Sequence, residues 1–360
     1  MENLAVNSFW KDKRVLITGH TGFKASWLSV YLRKFGALIG GFSLQVSEQN
    51  FMYKRISSKN RFHTECFADI RNFEKLYKFV QYFQPDIIFH LAAQPLVRAS
   101  YENPLETFTV NTLGTVNLLE CVRQIGKDVT VINVTTDKCY ENQEWIWPYR
   151  ENEKLGGHDP YSASKACSEI VSYAYAKSFL LNENKFKIAT ARAGNVIGGG
   201  DTSYDRLIPD FFRCLDAGIR INLRNPLATR PWLHVVEPIH GYALLAKAVY
   251  NNLDESIGAW NFGPSGKPVS VCEVIETLTK HFDFGSYTTD TSGKNPYEAQ
   301  SLILDSNKAR LLLHWEASLN LEQSIEWTVE WYKAEKKSEC MHSFTDEQIG
   351  HYLEMINYVE

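Results

Sequence analysis

The sequence of 360 residues lacks the features of several large protein classes. No stretch approaches the unbroken apolar length of a membrane span, and residues 1–10 lack the basic and apolar segments of a signal peptide. The formal net charge is only -4, so no strong positive field would attract nucleic acid or an anionic membrane. We therefore expect no nucleic-acid and no membrane partner, and a small-molecule ligand instead.

The cysteines and histidines form no recognisable cluster. The seven cysteines are odd in number, are spread along the chain and include no C-x-x-C pair, which argues against a disulfide framework. Scattered thiols of this kind are typical of the reducing cytoplasm. No group of histidines has the spacing of metal ligands, so we expect a cytoplasmic protein without a metal site.

Apolar runs rich in β-branched residues alternate with longer helical patterns through the first half of the chain. This alternation predicts α/β architecture with a doubly wound parallel sheet, the Rossmann arrangement. The predicted strands are 14–18, 38–44, 62–68, 86–91, 129–135 and 187–192, and the predicted helices are 24–35, 74–83, 107–123 and 162–179.

The second half is less regular and is punctuated by glycine and proline. We predict a dinucleotide-binding domain over residues 1–194 and a smaller, mainly substrate-binding α/β domain over residues 195–360. Residues 235–262 are predicted to rejoin the first sheet.

A glycine-rich turn follows the first predicted strand and opens the first predicted helix. Residues 19–25 read GHTGFKA, in which Gly19 permits a tight turn and Gly22 lets the backbone approach a pyrophosphate. The positive end of the following helix favours the phosphate charge. The P-loop spacing is absent, so the turn predicts a dinucleotide site.

The second predicted strand lacks the acidic residue that usually holds the adenosine ribose. Ser43 is the possible substitute there. No arginine is present for a 2′-phosphate, which favours NAD over NADP. Asp69 has two open interpretations, as a contact of the adenine or as the cap of a helix beginning near Arg71.

Tyr161 and Lys165 lie four residues apart in a predicted helix and so share one helix face. An ammonium beside a phenol lowers the pKa of the phenol, which could then remove a proton from a sugar hydroxyl while hydride leaves the same carbon. Downstream of a dinucleotide turn, this pair predicts an oxidoreductase step.

The fifth predicted strand ends in Thr136, Asp137 and Lys138, at the sheet edge where open α/β folds bind ligands. Thr136 could bond the same hydroxyl as Tyr161. Simple oxidation and reduction needs no second acid/base pair, so Asp137 and Lys138 point to elimination at a neighbouring carbon.

Eight runs of sequence together resemble bacterial CDP-glucose 4,6-dehydratases over about residues 9–335. They are GHTGFKASWL, FHLAAQPLVRASY, VTTDKCYENQEW, GGHDPYSASKACSE, ARAGNVIGGGD, DRLIPD, TRPWLHVVEPIHGY and AWNFGP. The resemblance implies oxidation at sugar C4 by Tyr161, Thr136 and Lys165 with NAD, then loss of water across C5–C6. It further implies Asp137 as the acid at O6 and Lys138 as the base at C5, although the identity of the base stays open.

The expected contacts extend beyond these groups. Residues expected at the cofactor are Gly19, His20, Thr21, Gly22, Phe23, Lys24, Ser43, Asp69, Ile70, Leu91, Ala92 and Ala93, together with Tyr161 and Lys165. The resemblance implies Asn195 and Arg230 at the diphosphate and Arg206 on the nucleotide side, and Gln94, Arg98 and Glu298 are further expected substrate contacts. His90 is expected to pack in the core.

The chain departs from the family pattern at Ala25, Pro148, Ala166 and residues 297–301. Two alternatives therefore stay open: an epimerase or reductase on the same scaffold, and a non-catalytic NAD-binding protein. The resemblance also implies a homodimer or homotetramer built on helices 107–123 and 162–179.

Overall fold

A seven-stranded parallel sheet organises the computed structural model, which describes residues 8–48, 50–57, 62–180, 186–253, 257–282, 287–290, 299–358 and 360. The spatial order of the strands is β11-β6-β5-β4-β1-β2-β3. Their bounds are β1 Arg14–Thr18, β2 Leu38–Ser43, β3 Thr64–Phe67, β4 Ile87–His90, β5 Val129–Val134, β6 Phe186–Ala193 and β11 Gly258–Phe262. All six predicted strands are confirmed, and β11, which lies within residues 235–262, pairs with β6 at the edge of the sheet.

Helices cover both faces of this sheet. The helices between β1 and β6 along the chain are α1 Phe23–Lys34, α2 Phe51–Ile56, α3 Phe73–Phe83, α4 Val97–Glu102, α5 Pro104–Phe108, α6 Gly114–Ile125 and α7 Pro160–Tyr175. Those that follow are α8 Leu207–Ala217, α9 Val236–Tyr250, α10 Val271–Thr279, α11 Asn307–Leu312, α12 Leu321–Lys336 and α13 Met341–Met355. The doubly wound α/β prediction is therefore confirmed.

Two predicted helices differ in detail from the observed ones. The helix predicted over 107–123 consists of α5 and α6 joined by a π-helical turn at Thr109–Leu113. The helix predicted over 162–179 begins two residues earlier, because Asp159 caps it by accepting the Ser162 amide and Pro160 occupies its first turn.

Alternation along the strands divides the core into two layers. Leu16, Ile88 and Val131 belong to one buried cluster, whereas Ile17 and Ile132 belong to the other. Successive side chains of a strand point to opposite faces, so strands buried on both faces carry near-continuous apolar runs. This is why the parallel sheet could be predicted from the β-branched runs.

Among the described residues, the short strands that follow β6 pair in three two-stranded sheets separate from the main sheet. They are β7 Asn195–Ile197, β8 Asn222–Leu223, β9 Thr229–Arg230, β10 Trp232–His234, β12 Val269–Ser270 and β13 Thr288–Thr289. β7 pairs with β10, and β9 pairs with β12. Asn195 and Arg230, two expected substrate contacts, are thereby fixed near the carboxyl ends of the main strands.

The last helix, α13, packs against both α12 and α1, the helix that follows the glycine-rich turn. The Trp331 indole of α12 donates to Thr345 of α13 at 3.0 Å, and Lys34 of α1 pairs with Asp346 at 3.0 Å. Residues beyond Lys337, for which the sequence indicates no function, therefore support α1. No helix among the residues that the structure describes is long and apolar enough to cross a membrane.

Gly199 provides a test of the packing between the sheet edge and α12. A Cβ at this position would overlap the indole of Trp331, so we expect Gly199→Ala to destabilise the fold by about 1–3 kcal/mol. Thermal unfolding measures the change. The control is Gly350→Ala within α13, where a Cβ would lie 3.6 Å from the flexible end of Lys34 and where alanine favours helix by about 1 kcal/mol. Equal melting temperatures for the two variants would contradict this packing.

Candidate active site

The glycine-rich turn joins β1 to α1 and forms one wall of a cleft. Gly19 adopts a φ of +69°, and a Cβ there would lie 2.8 Å from the backbone of Ala92, so a side chain is excluded by both conformation and space. Gly22 caps α1 without a side-chain hydrogen bond, and no acidic residue occupies the first turn. The helix end is therefore open to an anion.

The cleft beside this turn has a volume of about 500 Å³. Of the expected cofactor contacts, those that line it are Gly19, Thr21, Gly22, Phe23, Lys24, Ser43, Asp69, Ile70, Leu91, Ala92, Ala93, Tyr161 and Lys165. A glycine turn, an open helix end and this lining fit a dinucleotide. Ala25, which stands in place of a family glycine, is buried and also borders the cleft.

His20 is absent from this lining. Its imidazole is fully buried, packs under Gly41 and contacts the Glu65 carboxylate at 3.0 Å, and Tyr53 donates to the same carboxylate at 2.6 Å. The side chain of His20 therefore packs against β2 and does not line the cleft.

The rim of the cleft holds the two residues expected near the adenosine. Ser43 contacts the Thr21 hydroxyl at 3.0 Å. Asp69 pairs with Arg71, while the cap of α3 is Asn72, which accepts the Lys75 amide. The interpretation of Asp69 as the helix cap is therefore wrong, because Asn72 lies at the position from which a side chain reaches the first amides of the helix.

Tyr161 lies where this cleft meets a second one, also of about 500 Å³. Both clefts are lined by Lys24, Thr135, Tyr161, Asp201 and Arg206, together with the backbone near Leu96. Lys165 borders the first cleft, and Thr136 and Lys138 border the second. The helix face predicted to carry Tyr161 and Lys165 thus faces the junction.

The predicted effect of Lys165 on the phenol is wrong. Burial raises the pKa of Tyr161 to about 12, and the groups that lower it are a hydrogen bond with Thr136 and the charge of Arg206. Lys165 instead donates to the Val134 carbonyl at 3.0 Å, and burial lowers its own pKa to about 8. The ammonium is held at the end of β5 and is not among the groups that lower the pKa of Tyr161.

Thr136, Asp137 and Lys138 form a short turn directly after β5. Asp137 is fully buried; its Oδ1 accepts from Thr136 at 2.9 Å and contacts the Lys138 ammonium at 3.3 Å. Its Oδ2 has no hydrogen-bond partner among the described residues. Lys138 also reaches Asn195 Oδ1 at 3.3 Å. The acid/base pair predicted from sequence is thus a contacting ion pair beside Tyr161.

The second cleft contains four of the six expected substrate contacts: Arg98, Asn195, Arg206 and Arg230. Arg98 pairs with Asp205 at 3.1 Å, and Arg230 donates to the Thr229 carbonyl at 2.8 Å. Arg206 pairs with buried Asp201 at 2.8 Å and lines both clefts, which places its charge beside Tyr161.

One of the other two expected substrate contacts, Gln94, does not line either cleft. Its amide bonds Thr107 at 2.8 Å and the Leu96 carbonyl at 3.1 Å, and so it shapes the loop after β4. Glu298 lies outside the described residues. His90 contacts Thr18 at 2.7 Å and Thr115 at 3.2 Å within the core, which confirms its expected packing role.

Sequence reasoning missed two electrostatic features of the junction. Lys24, expected only as part of the cofactor turn, has its pKa lowered to about 7 by burial and by the charges of Arg206 and Lys165. Asp201, the last residue of the run ARAGNVIGGGD, was not predicted to have a role, yet its buried carboxylate neutralises Arg206. The Lys24 shift could not be found from spacing, because Arg206 and Lys165 are far from Lys24 in the chain. Asp201 and Arg206 are only 5 residues apart, so their separation in the sequence was the available signal for that pair.

Comparison with known proteins identifies the family. The model of the GDP-mannose 4,6 dehydratase family matches residues 16–328. The chain is also 42% identical over 353 residues to a CDP-glucose 4,6-dehydratase of Salmonella typhimurium, covering 96% of this chain and 98% of the relative. The chain belongs to the GDP-mannose 4,6 dehydratase family. The resemblance predicted from its motifs is confirmed.

More distant members of this dehydratase group share the architecture. A UDP-glucuronate 4-epimerase of Thermodesulfobacterium geofontis is 26% identical, covering 88% of this chain and 95% of the relative. A solved dTDP-glucose 4,6-dehydratase of Bacillus anthracis has a TM-score of 0.75 at 22% identity, covering 91% of this chain and 98% of that one. This structural likeness shows the same fold.

The lowered pKa of Lys24 in this GDP-mannose 4,6 dehydratase family member can be measured directly. We expect the Lys24 amine to titrate near pH 7 in the ligand-free protein, because a buried ammonium among cations is disfavoured. Reductive ¹³C-methylation followed by NMR titration resolves each lysine, and Lys24→Met assigns the signal by its loss. Lys78, whose side chain is 71% exposed, provides the internal reference signal. A Lys24 signal that titrates together with Lys78 would contradict the assignment.

Proposed function

We propose that the protein is an NAD-dependent nucleotide-sugar 4,6-dehydratase that converts CDP-glucose to CDP-4-keto-6-deoxyglucose. The observation that carries the proposal is that Lys138, which lines the second cleft together with Tyr161, contacts the buried carboxylate of Asp137 at 3.3 Å, since oxidation and reduction alone need no such pair. The Salmonella relative named CDP-glucose 4,6-dehydratase, alike over nearly its whole length, supports the choice of nucleotide.

We assign NAD to the cleft beside the glycine-rich turn. The solved Bacillus anthracis dehydratase is a complex with NAD, and the cleft described here has the open helix end and the glycine turn that such a ligand needs. When bound, NAD accepts a hydride from the sugar and later returns it. We also propose that residues 1–194, with 235–262, mainly hold the cofactor and that residues 195–360 mainly hold the nucleotide sugar.

In the first step, Tyr161 removes the proton from the C4 hydroxyl. Its pKa of about 12 in the ligand-free protein makes phenolate unfavourable at neutral pH, so the hydrogen bond with Thr136 and the charge of Arg206 must assist. Lys165, which donates to the Val134 carbonyl, would hold the cofactor ribose. The resulting C4 ketone acidifies the proton on C5.

In the second step, water leaves across C5–C6. A proton first passes from the Lys138 ammonium to the contacting Asp137 carboxylate. The neutral Lys138 amine then takes the C5 proton, and Asp137 donates its proton to O6 as the C6–O bond breaks. The Asp137 Oδ2 atom is buried and has no partner among the described residues, so it is free to carry that proton. Hydride addition at C6 and protonation at C5 complete the 4-keto-6-deoxy sugar.

An epimerase or reductase on this scaffold is the main alternative, and epimerases are among the relatives. Such reactions use the tyrosine and lysine without an acid beside Thr136, so Asp137 favours dehydration. A non-catalytic NAD-binding protein is disfavoured because Thr136, Tyr161 and Lys165 meet at one junction.

One assay separates these possibilities. Purified protein is incubated with NAD and with CDP-, UDP-, dTDP- or GDP-linked hexose, and the alkali-induced absorbance of a 4-keto sugar is followed. We expect the highest kcat/KM with CDP-glucose and a product that has lost O6. A product epimerised at C4 with O6 retained would replace dehydration by epimerisation, and no turnover of any sugar would support the non-catalytic alternative.

Tyr161→Phe tests the proton transfer at O4. Removal of the phenol hydroxyl should lower kcat by about 10²–10⁴-fold, because this hydroxyl is the general base assigned to the C4 proton. NAD affinity, measured by calorimetry, should stay within about threefold as the control for an intact cleft. Turnover near the wild-type rate would refute the assigned role.

Asp137→Asn tests the elimination separately from the oxidation. The amide cannot donate the acid proton to O6, so dehydration should slow by about 10²-fold or more while oxidation at C4 persists. In a single turnover, the near-ultraviolet absorbance of reduced cofactor should then accumulate. Normal turnover without such accumulation would contradict the division of roles.

We propose a homodimer that pairs α6 and α7 with their symmetry mates. Ile170 and Tyr173 on α7 and Leu113 before α6 are 56%, 64% and 44% exposed, an unusual exposure for large apolar side chains on adjacent elements. Light scattering should give twice the chain mass, or four times for a tetramer. A monomer at micromolar concentration would refute this interface.

A further inference from the structure

A buried ion pair lies behind the junction and has no part in the mechanism above. Arg192 of β6 bonds Glu169 of α7 through two nitrogens, at 3.0 and 2.9 Å, and both side chains are 3% exposed. Glu169 is one helical turn beyond Lys165 on the same face of α7. The two-point geometry fixes the orientation of both groups as well as their distance.

The remaining bonds of Glu169 join two strands of the sheet. One carboxylate oxygen accepts from Thr135 and the other accepts from Thr190 at 2.6 Å. With the two bonds from Arg192, each oxygen of Glu169 therefore accepts two hydrogen bonds. Although burial raises the pKa of Glu169, the charge of Arg192 and these hydrogen bonds together hold it below its usual value. The carboxylate is therefore held in its ionised form, and both of its oxygens are hydrogen-bonded.

Arg192 holds the other end of the same turn. Its third nitrogen donates to the Tyr140 hydroxyl at 2.8 Å and to the Glu151 carbonyl at 3.0 Å, and Tyr140 in turn donates to Asn261 at 2.7 Å. Thr135 and Tyr140 are the residues on either side of Thr136–Cys139. We call residues 135–140 the catalytic turn. The ion pair is hydrogen-bonded to its first residue through Glu169 and to its last residue through Arg192.

We propose that Glu169 and Arg192 are positioning residues that set the catalytic turn against Tyr161 and Lys165. This inference rests on the proposed dehydratase function. A charge pair in a low-dielectric interior resists displacement, because separating the charges costs far more there than in water. Misplacement of a reacting group by about 1 Å can cost about 10²-fold in rate, so the hydrogen bonds that hold the catalytic turn directly affect the geometry of the elimination.

Two matched variants separate positioning from simple stability. Thr135→Val and Thr190→Val each remove one hydroxyl bonded to the same carboxylate, and both threonines are buried. Only Thr135 belongs to the catalytic turn. We expect Thr135→Val to lower kcat by about tenfold or more with little change in NAD affinity, and Thr190→Val to leave kcat within about twofold at a similar loss of melting temperature.

Hydrogen exchange provides a readout that does not depend on turnover. Thr135→Val should speed exchange of the amides of residues 136–140, whereas Thr190→Val should not. If the wild-type protein fails to dehydrate any nucleotide sugar, the proposed function fails. The exchange comparison would still test whether the ion pair orders the catalytic turn. Equal exchange rates and equal kcat in the two variants would overturn the positioning role.

Glu169→Gln adds a test of the charge itself. Burial lowers the pKa of Lys165 and the Glu169 charge raises it, so neutralising Glu169 should lower that pKa further. The alkaline limb of the kcat–pH profile should then move to lower pH, with a fall in kcat and no rise in KM. A variant with a lower melting temperature but an unmoved pH profile and normal kcat would overturn the proposal.

Discussion

Parallel pairing of β5 with β4 on one side and β6 on the other is the constraint on which the whole site depends. Parallel strands end at one edge, so the glycine-rich turn after β1, the loop after β4 and the catalytic turn after β5 converge there. The crossover from β5 returns as α7, which brings Tyr161 and Lys165 to the same edge. Residues over 140 positions apart in sequence therefore border two adjoining clefts.

Charge burial then sets the chemistry of the junction. Burial lowers the pKa of Lys24 to about 7 and that of Lys165 to about 8, and burial raises the pKa of Tyr161 to about 12. All three shifts favour neutral groups in the ligand-free clefts. Bound phosphates would reverse the shifts of the lysines by adding negative charge, so ligand binding and protonation should be coupled.

The sequence predicts local features well and long-range electrostatics poorly. The six strands, the turn at Gly19 and the shared face of Tyr161 and Lys165 follow from periodicity and spacing within short windows. The direction of the Tyr161 pKa shift was predicted wrongly because it depends on burial. Glu169 and Arg192 are 23 positions apart on a helix and a strand, so only the packing of α7 against β6 pairs them. The i+4 spacing of Glu169 from Lys165 is the one signal that could have indicated it.

The most direct measurement follows the hydrogen on sugar C4. CDP-glucose deuterated at C4 is converted by the NAD-loaded protein, and the product is analysed by NMR and mass spectrometry. The account predicts that the deuterium moves to C6 of the 4-keto-6-deoxy product, because a single hydride leaves and returns at one junction. Deuterium retained at C4, or lost to solvent, would contradict the proposed chemistry.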